Sequence, residues 1–369
     1  MARPFFRTSL CDLLGIEYPV VSAGMGRAAR PELAAAVTNA GGLGMMGCTG
    51  HTPEEIRSDI RRCRSLTDGP FGVDLLFPGS IRAAEEERRL PESPPPFLDD
   101  FRRELDLPPW EERKRLLERQ GARTHTEASV RAQLDVVLAE RVPVFASGLG
   151  TPDWLIPELH ARGALCIALV GNVRQARRVQ GMGADIVVAQ GYDAGGHTGR
   201  VGTFSLVPQV VDAVAPTPVL AAGGIGDGRG LVAALALGAV GVWVGTRFLA
   251  THEAGELLAY KERIVAASEE DTERTGCWTG RTQRTLKNRF TQSWEPAGVR
   301  PFSGAVQQLV VGDIELRARE RERTDLMRMP MGQIAGLVGS IKGARDVLEE
   351  MVGEAAGLLR EGLSQRVRL

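Results

Sequence analysis

Between residues 19 and 246 the chain repeats one pattern: a short apolar run rich in valine, isoleucine and leucine, then an amphipathic stretch. The apolar runs are "PVVSAGM" (19–25), "GLGMMG" (42–47), "FGVDLLF" (71–77), "VPVFASG" (142–148), "ALCIALV" (164–170), "DIVVAQG" (185–191), "PVLAAGG" (218–224) and "VGVWVGT" (240–246). Most are separated by helix-like stretches such as "RPELAAAVTNA", "TPDWLIPELHARG", "NVRQARRVQGMG" and "DGRGLVAALALG". Runs apolar on both faces, alternating with helical patterns, predict βαβ units in a parallel sheet. Eight such units are the number that closes a TIM (β/α)8 barrel, the α/β fold expected here. Periodicity by itself also allows an open doubly wound sheet, because it does not report closure.

Two segments break the repeat. Residues 79–125 carry "AAEEERRL", "PESPPPF" and "PPWEERKRLLERQ", which predict charged helices interrupted by proline after the third strand. Charge runs usually face water, so this insertion reads first as a solvated excursion and second as a lid. Residues 267–369 add "TGRTQRTLKNRF" and a helical stretch beginning "QIAGLVGSIKGARDVLEEM". The expected organisation is a barrel of residues 1–78 and 126–266, a helical insertion at 79–125 and a C-terminal extension at 267–369 packing on the barrel. The uncharged stretch from Gly230 to Thr246 approaches membrane-spanning length, but Gly238 and Gly241 divide it into a helix, a turn and a strand.

Composition narrows the partner. Forty-five basic and 46 acidic residues nearly cancel, so nothing favours nucleic acid or an anionic membrane, and a small molecule is expected. Forty-four glycines with 43% hydrophobic residues suit many tight strand-to-helix turns around an aliphatic core. Five scattered cysteines, none in CxxC spacing, predict neither disulfides nor zinc and point to a reducing cytoplasm. The N-terminus shows no secretory pattern.

In a barrel the functional groups gather where strands end. The first end, "SAGMG", offers small residues, room for a flat ligand and backbone amides. "NAGGLGMMG" reads as turn geometry. Asp74 interrupts an apolar strand, and a buried carboxylate there needs internal donors or a ligand's N–H groups. "AAGGIGDGRG" and "GVWVGTRFL" end the last two strands in Gly223 and Gly224, and in Gly245 and Thr246. Glycine turns with unpaired N–H groups beside a helix start make a phosphate site. Asp227 suits a helix cap. Gln190 ends the sixth strand with an amide able to pair with a heterocycle edge. In "GYDAGGHTG" His197 stands among glycines that let backbone approach a ligand, and imidazole suits acid–base work. The other histidines, His51, His125, His160 and His252, show no comparable setting, and no metal site is expected.

These stretches, together with "YPVVSAGMG", "FGVDLLFP", "ADIVVAQGYDAGGHTG" and "MGQIAGLV", resemble the nitronate monooxygenase (2-nitropropane dioxygenase) family of FMN-dependent TIM barrels. The resemblance implies an oxidoreductase that binds FMN and oxidises alkyl nitronates, and nitroalkanes where it can deprotonate them, with O2, to a carbonyl compound and nitrite. It implies that Ala23, Gly24 and Met25 lie along the flavin ring and that Asp74 and Gln190 meet its polar edge or ribityl chain. Gly195 and Gly196 would adjoin the cofactor; Gly223, Gly224, Gly245 and Thr246 would hold its phosphate, with Ala222 also in contact. His197 matches the catalytic histidine. Gln333 and Gly336 match a late motif that closes over the flavin. Many relatives carry asparagine at Asp74, which changes that contact's polarity. A homodimer is compatible with the resemblance. The alternative within the family is an NAD(P)H-dependent reductase of quinones or enoyl thioesters. An inosine monophosphate dehydrogenase-like barrel would need a cysteine in a glycine-rich loop, and none of the five is so placed. From another class, a flavin-binding protein without catalysis is disfavoured by the intact "GGHTG".

Overall fold

The computed structural model describes residues 5–77, 90–120, 126–362 and 365. Eleven strands occur among them: β1 (Val20–Ser22), β2 (Gly44–Gly47), β3 (Phe71–Leu76), β4 (Val144–Gly148), β5 (Leu165–Val170), β6 (Ile186–Gln190), β7 (Gly196–His197), β8 (Val219–Ala222), β9 (Gly241–Val244), β10 (Thr272–Thr275) and β11 (Gln283–Leu286). Eight are parallel in the order β1-β9-β8-β6-β5-β4-β3-β2. Closure comes from a bridge between Val21 and Leu43, where Ser22 N–H donates to the Leu43 carbonyl at 2.9 Å and Leu43 N–H to that of Val20 at 3.0 Å. The sheet is therefore a barrel, as the eight apolar runs predict.

The runs are apolar throughout because each strand has two dry faces. On β8, Leu220 and Ala222 point into the barrel with Met45, Ile167, Val188 and Trp243, while Val219 and Ala221 pack outward against the helical layer. The observed strands are shorter than the runs, since the terminal glycines leave the ladder. Gly223 (φ +99°) and Gly224 (φ +69°) turn out of β8 in a conformation that favours glycine. The uncharged Gly230–Thr246 stretch becomes a helix from Gly228 to Ala236 followed by β9. Among the described residues no helix is long and apolar enough to cross a membrane.

The N-terminal helix Ser9–Leu14 plugs one end. Leu10, Cys11 and Leu14 join the barrel-interior cluster, and the Thr8 hydroxyl donates to the Val240 carbonyl at 2.5 Å, just before β9 begins. The opposite end, where the strands finish, is left to the ligand.

The insertion departs from its expected character. "AAEEERRL" falls mostly outside the described residues, but helices Phe97–Glu104 and Trp110–Gln120 are not a solvated excursion. Leu98, Phe101 and Leu105 recur at helical spacing and pack with Trp110 on Phe290, Trp294, Val310 and Ile314 of the C-terminal segment. Arg102, fully buried, grips Asp313 with two hydrogen bonds of 2.5 and 3.0 Å and donates to the Val310 carbonyl at 2.7 Å. The charge run hides an apolar stripe and one interior cation.

The C-terminal segment serves two cores. Residues of the helix Gly304–Glu320 belong with the insertion, whereas Val347, Leu348, Met351 and Val352 of the helix Ala344–Gly357 pack into the barrel's outer layer. Removing one partner of a buried ion pair strands the other charge. Asp313→Ala should therefore destabilise the protein by about 3–5 kcal/mol, read as a lowered urea midpoint with an unchanged slope. A loss below about 1 kcal/mol, the range of exposed pairs, would show that Arg102 has water to retreat to.

Candidate active site

A cavity of about 1400 Å³ opens at the C-terminal ends of the barrel strands. It gathers residues predicted from separate stretches: Ala23, Gly24 and Met25 after β1, Asp74 on β3, Gln190 ending β6, and Gly195, Gly196 and His197 on the next loop. Ala222, Gly223, Gly224, Gly245 and Thr246 line it from β8 and β9. Gln333 and Gly336 do not. Gln333 N–H donates to the Asp193 carbonyl at 3.0 Å, but its neighbours Gly332 and Ile334 form the wall, and Gly336 packs against Glu269. No described residue of the insertion lines the cavity, so nothing described there acts as a lid.

The two glycine turns form an anion cradle. The N–H groups of Gly223, Gly224, Gly245 and Thr246 make no hydrogen bond to any described residue. The Thr246 hydroxyl accepts from Gly332 N–H at 2.9 Å, which leaves its own proton to donate. Asp227 caps the following helix as expected, accepting from Gly230 N–H at 3.1 Å. Its carboxylate is thereby kept for the helix rather than for a ligand.

His197 owes its position to a sheet that the strand pattern did not foretell. Gly196 and His197 form β7, which pairs antiparallel with Arg284 and Gln283 of β11; β10 pairs on the far side. Gln190 Nε2 donates to the His197 carbonyl at 2.6 Å, so one N–H of that amide is spent on the loop. Buried Arg284 donates to the Tyr192 carbonyl from Nε and Nη2 at 3.2 and 3.1 Å. His197 Nδ1 lies 3.3 Å from the Thr282 carbonyl, which assigns the proton to Nδ1 and leaves Nε2 a lone pair. Burial pushes the imidazole pKa down to about 4, helped by the positive charges of Arg328 and Arg281 against the pull of the Thr282 carbonyl. The ring is thus neutral throughout the neutral range, where sequence alone leaves it titrating.

Asp74 is the buried acid of the wall, 4% exposed, and its Oδ1 has no hydrogen-bond partner. Burial raises its pKa well above the ordinary carboxylate value. Gly24 passes against it so closely that a Cβ there would lie 2.2 Å from the Asp74 Cβ. The glycine is required by this contact.

Sequence reading missed the far wall. Trp278, Arg281, Thr282, Arg328 and Gly332 all line the cavity from the C-terminal segment. Trp278 is 1% exposed, stacks on Phe290 with ring centroids 4.0 Å apart, and has an unpartnered Nε1. Little in the sequence marked this wall, since "TQRTL" carries one apolar residue although all four residues of β11 are buried. His51 also has a setting: Cys48, His51 and Asp59 converge at ligand distance. Arg30 already fills the cation's place, with Nη2 2.7 Å from Asp59 Oδ1 and Nη1 2.7 Å from His51 Nε2. Burial and neighbouring acids keep the Cys48 thiol protonated, which opposes metal binding. His160 pairs with Asp185 at 2.9 Å, and His125 lies outside the described residues.

A closed barrel whose cavity at the strand ends holds unbonded N–H groups on the last two strands and a histidine opposite has the layout of a TIM-barrel enzyme. Comparison with known proteins narrows the class. The sequence model of the family described as "Nitronate monooxygenase" matches residues 7–93 and 97–354. The chain belongs to the nitronate monooxygenase family, a family of oxidoreductases. It is 31% identical over 369 residues to the "Probable nitronate monooxygenase" of Staphylococcus haemolyticus, covering 96% of this chain and 99% of that one. Among solved structures it is similar to the nitroalkane oxidase of Streptomyces ansochromogenes, with TM-score 0.81, 30% identity and coverage of 97% and 100%. It is also similar to FabK of Thermotoga maritima, with TM-score 0.78, 34% identity and coverage of 98% and 99%.

Because the unfolded chain ionises Asp74 at its ordinary pKa, stability from the neutral acid is full below about pH 4. It is lost as pH rises through the raised folded value. Asp74→Asn removes that dependence. The variant should gain on the wild type by up to about 1.4 kcal/mol per pH unit above pH 4, and thermal melts of cofactor-free protein across pH would show it. A difference between the two that stays constant with pH would mean that Asp74 is ionised in the fold.

Proposed function

We propose that the protein is an FMN-dependent nitronate monooxygenase that converts preformed alkyl nitronates and O2 to a carbonyl compound and nitrite. The observation that carries this reading is the pairing of four unbonded backbone N–H groups at Gly223, Gly224, Gly245 and Thr246 with a neutral histidine across the same cavity. FMN fits these residues, since its phosphate matches the cradle and its flat ring matches the side-chain-free surface of Gly24, Gly195 and Gly196. When bound, FMN supplies the two-electron chemistry that links the nitronate to O2.

The protein's own groups bind and orient. Gly24 keeps the wall flat, and Asp74 and Gln190 offer polar atoms to the ring's edge or ribityl chain. Arg281 and Arg328 bring positive charge to the oxygens of an anionic substrate. His197 holds a lone pair at Nε2 while Thr282 takes its Nδ1 proton. A base whose pKa is about 4 is poorly matched to taking a proton from carbon near neutrality. The site therefore suits the nitronate anion better than the neutral nitroalkane.

The purified protein, or the apoprotein offered FMN, should turn yellow; a colourless protein that refuses FMN ends this reading. With nitronate, kcat/KM should show no ionisation from His197 between about pH 6 and 8, falling only as pH nears the histidine's value of about 4. His197→Asn should lower turnover about 10²-fold while the protein stays yellow. Full activity in that variant would remove His197 from the mechanism.

A second reading has its own support. The cavity of about 1400 Å³ exceeds the ~300–1000 Å³ that one drug-sized ligand commonly occupies, and FabK is among the similar structures. Space remains for a large second ligand, as an NAD(P)H-dependent reductase of quinones or enoyl thioesters would need. Anaerobic titration of the bound flavin separates the two. Bleaching by a nitronate but not by NADH or NADPH is expected, and the reverse result installs the reductase.

A further inference from the structure

Asp74 stands apart from the other acids on the cavity wall. Asp193 accepts Thr203 N–H at 2.8 Å, Glu256 pairs with Arg319, Glu55 accepts Thr52 N–H at 2.7 Å in a helix cap, and Glu315, without a partner among the described residues, is only half-buried and keeps access to water. The Asp74 side chain has no hydrogen bond or ion pair with any described residue. Its flanking residues in register are Gly47 on β2 and Ala146 on β4, neither of which brings a polar side chain. Gly24 backbone covers it from the β1 loop. The ionisable neighbour is Cys48, whose thiol is held protonated; beyond it Arg30, His51 and Asp59 are committed to one another. No cation faces the carboxyl.

A carboxylate without a counter-charge or donors is expensive to bury, so the group keeps its proton. It then carries an O–H that must find an acceptor. The residues in register beside it bring no polar side chain, and the cavity it lines can receive an acceptor carried by a ligand. An isoalloxazine edge is rich in acceptors, with two carbonyl oxygens and ring nitrogens beside one N–H. A carboxylate would repel most of that edge, whereas a carboxylic acid complements it.

Resting on the FMN reading above, we propose that Asp74 meets the bound flavin as a neutral carboxylic acid and donates its proton in a hydrogen bond to an acceptor on the ring. Retention of the cofactor is then tied to one proton. When Asp74 ionises, the donor is lost and a negative charge replaces it. The FMN dissociation constant should rise about tenfold per pH unit above the Asp74 pKa, and Asp74→Asn, whose amide still donates, should remove that slope.

The test is infrared difference spectroscopy of wild type against Asp74→Asn, without and with FMN, combined with FMN binding measured across pH. The expected result is a carboxylic C=O band at neutral pH that is absent from the variant and moves to lower frequency when FMN binds. An alkaline loss of affinity confined to the wild type should accompany it. Absence of the band, or a band that FMN does not move, overturns the proposal. If the variant does not fold, wild-type protein labelled with ¹³C-carboxyl aspartate gives the same two signals by isotope shift. A protein that stays colourless with FMN defeats the cofactor reading and this proposal together; a yellow protein with an unmoved band defeats the proposal alone.

Discussion

The site depends on a very short piece of sheet, the pairing of Gly196 and His197 with Arg284 and Gln283. A loop containing Gly195, Gly196 and Gly199 has more backbone freedom to lose than an ordinary segment, and two ladder residues alone would not hold it. Arg284 makes the pairing durable. From β11 its guanidinium reaches the Tyr192 carbonyl and lies over the Tyr192 ring at 4.6 Å, tying both ends of the loop to one strand. Behind that strand the support is continuous. Gln307 donates to the Cys277 carbonyl, the helix carrying Gln307 also carries Asp313, and Asp313 is held by Arg102 of the insertion. Residues that read as a charged excursion thus brace the strand that positions the histidine.

The barrel assigns the remaining roles by geometry. Its lower end is filled by Leu10, Leu14 and Ile16, and the middle by aliphatic side chains from alternate strand positions. Toward the upper end Ala23 and Ala222 stand beside Trp243, which lines the cavity, and the turns become glycine, so the packed interior opens into a cavity without any strand being lost. Those turns also leave backbone N–H groups facing the opening, because a glycine turn with positive φ directs its amides away from the ladder.

What the sequence made legible follows from the range of the interactions involved. Strand positions, the Asp227 cap and the glycine turns are set by residues within a few positions of one another, and each was readable in place. Asp74 and His197 stood out for the same local reason, a polar side chain in an apolar run and an imidazole among glycines. Their protonation states were not readable. His197 is made a weak base first by burial and then by Arg328 and Arg281, which reach it only through the fold, and Asp74 is raised by burial with no nearby cation to offset it. Trp278 and Gly332 were missed because a largely polar stretch after the eighth unit looks like any surface extension. Gln333 was placed one residue from the wall: the turn exposes Gly332 and Ile334 to the cavity and spends the Gln333 N–H on Asp193.

The electrostatic consequence is a division of labour across the cavity. Burial raises the Asp74 pKa above the ordinary carboxylate value and lowers that of His197 to about 4, so each is shifted toward its uncharged form. The fixed charge on the substrate side then comes from Arg281 and Arg328, which cannot surrender their protons near neutral pH. On the function proposed above, this charge favours an entering anion over a neutral molecule of the same outline. That difference does not require His197 to change its protonation state before the substrate arrives. The low pKa of His197 follows first from its burial and then from Arg328 and Arg281, so the arginines that charge this wall also help to keep the imidazole neutral.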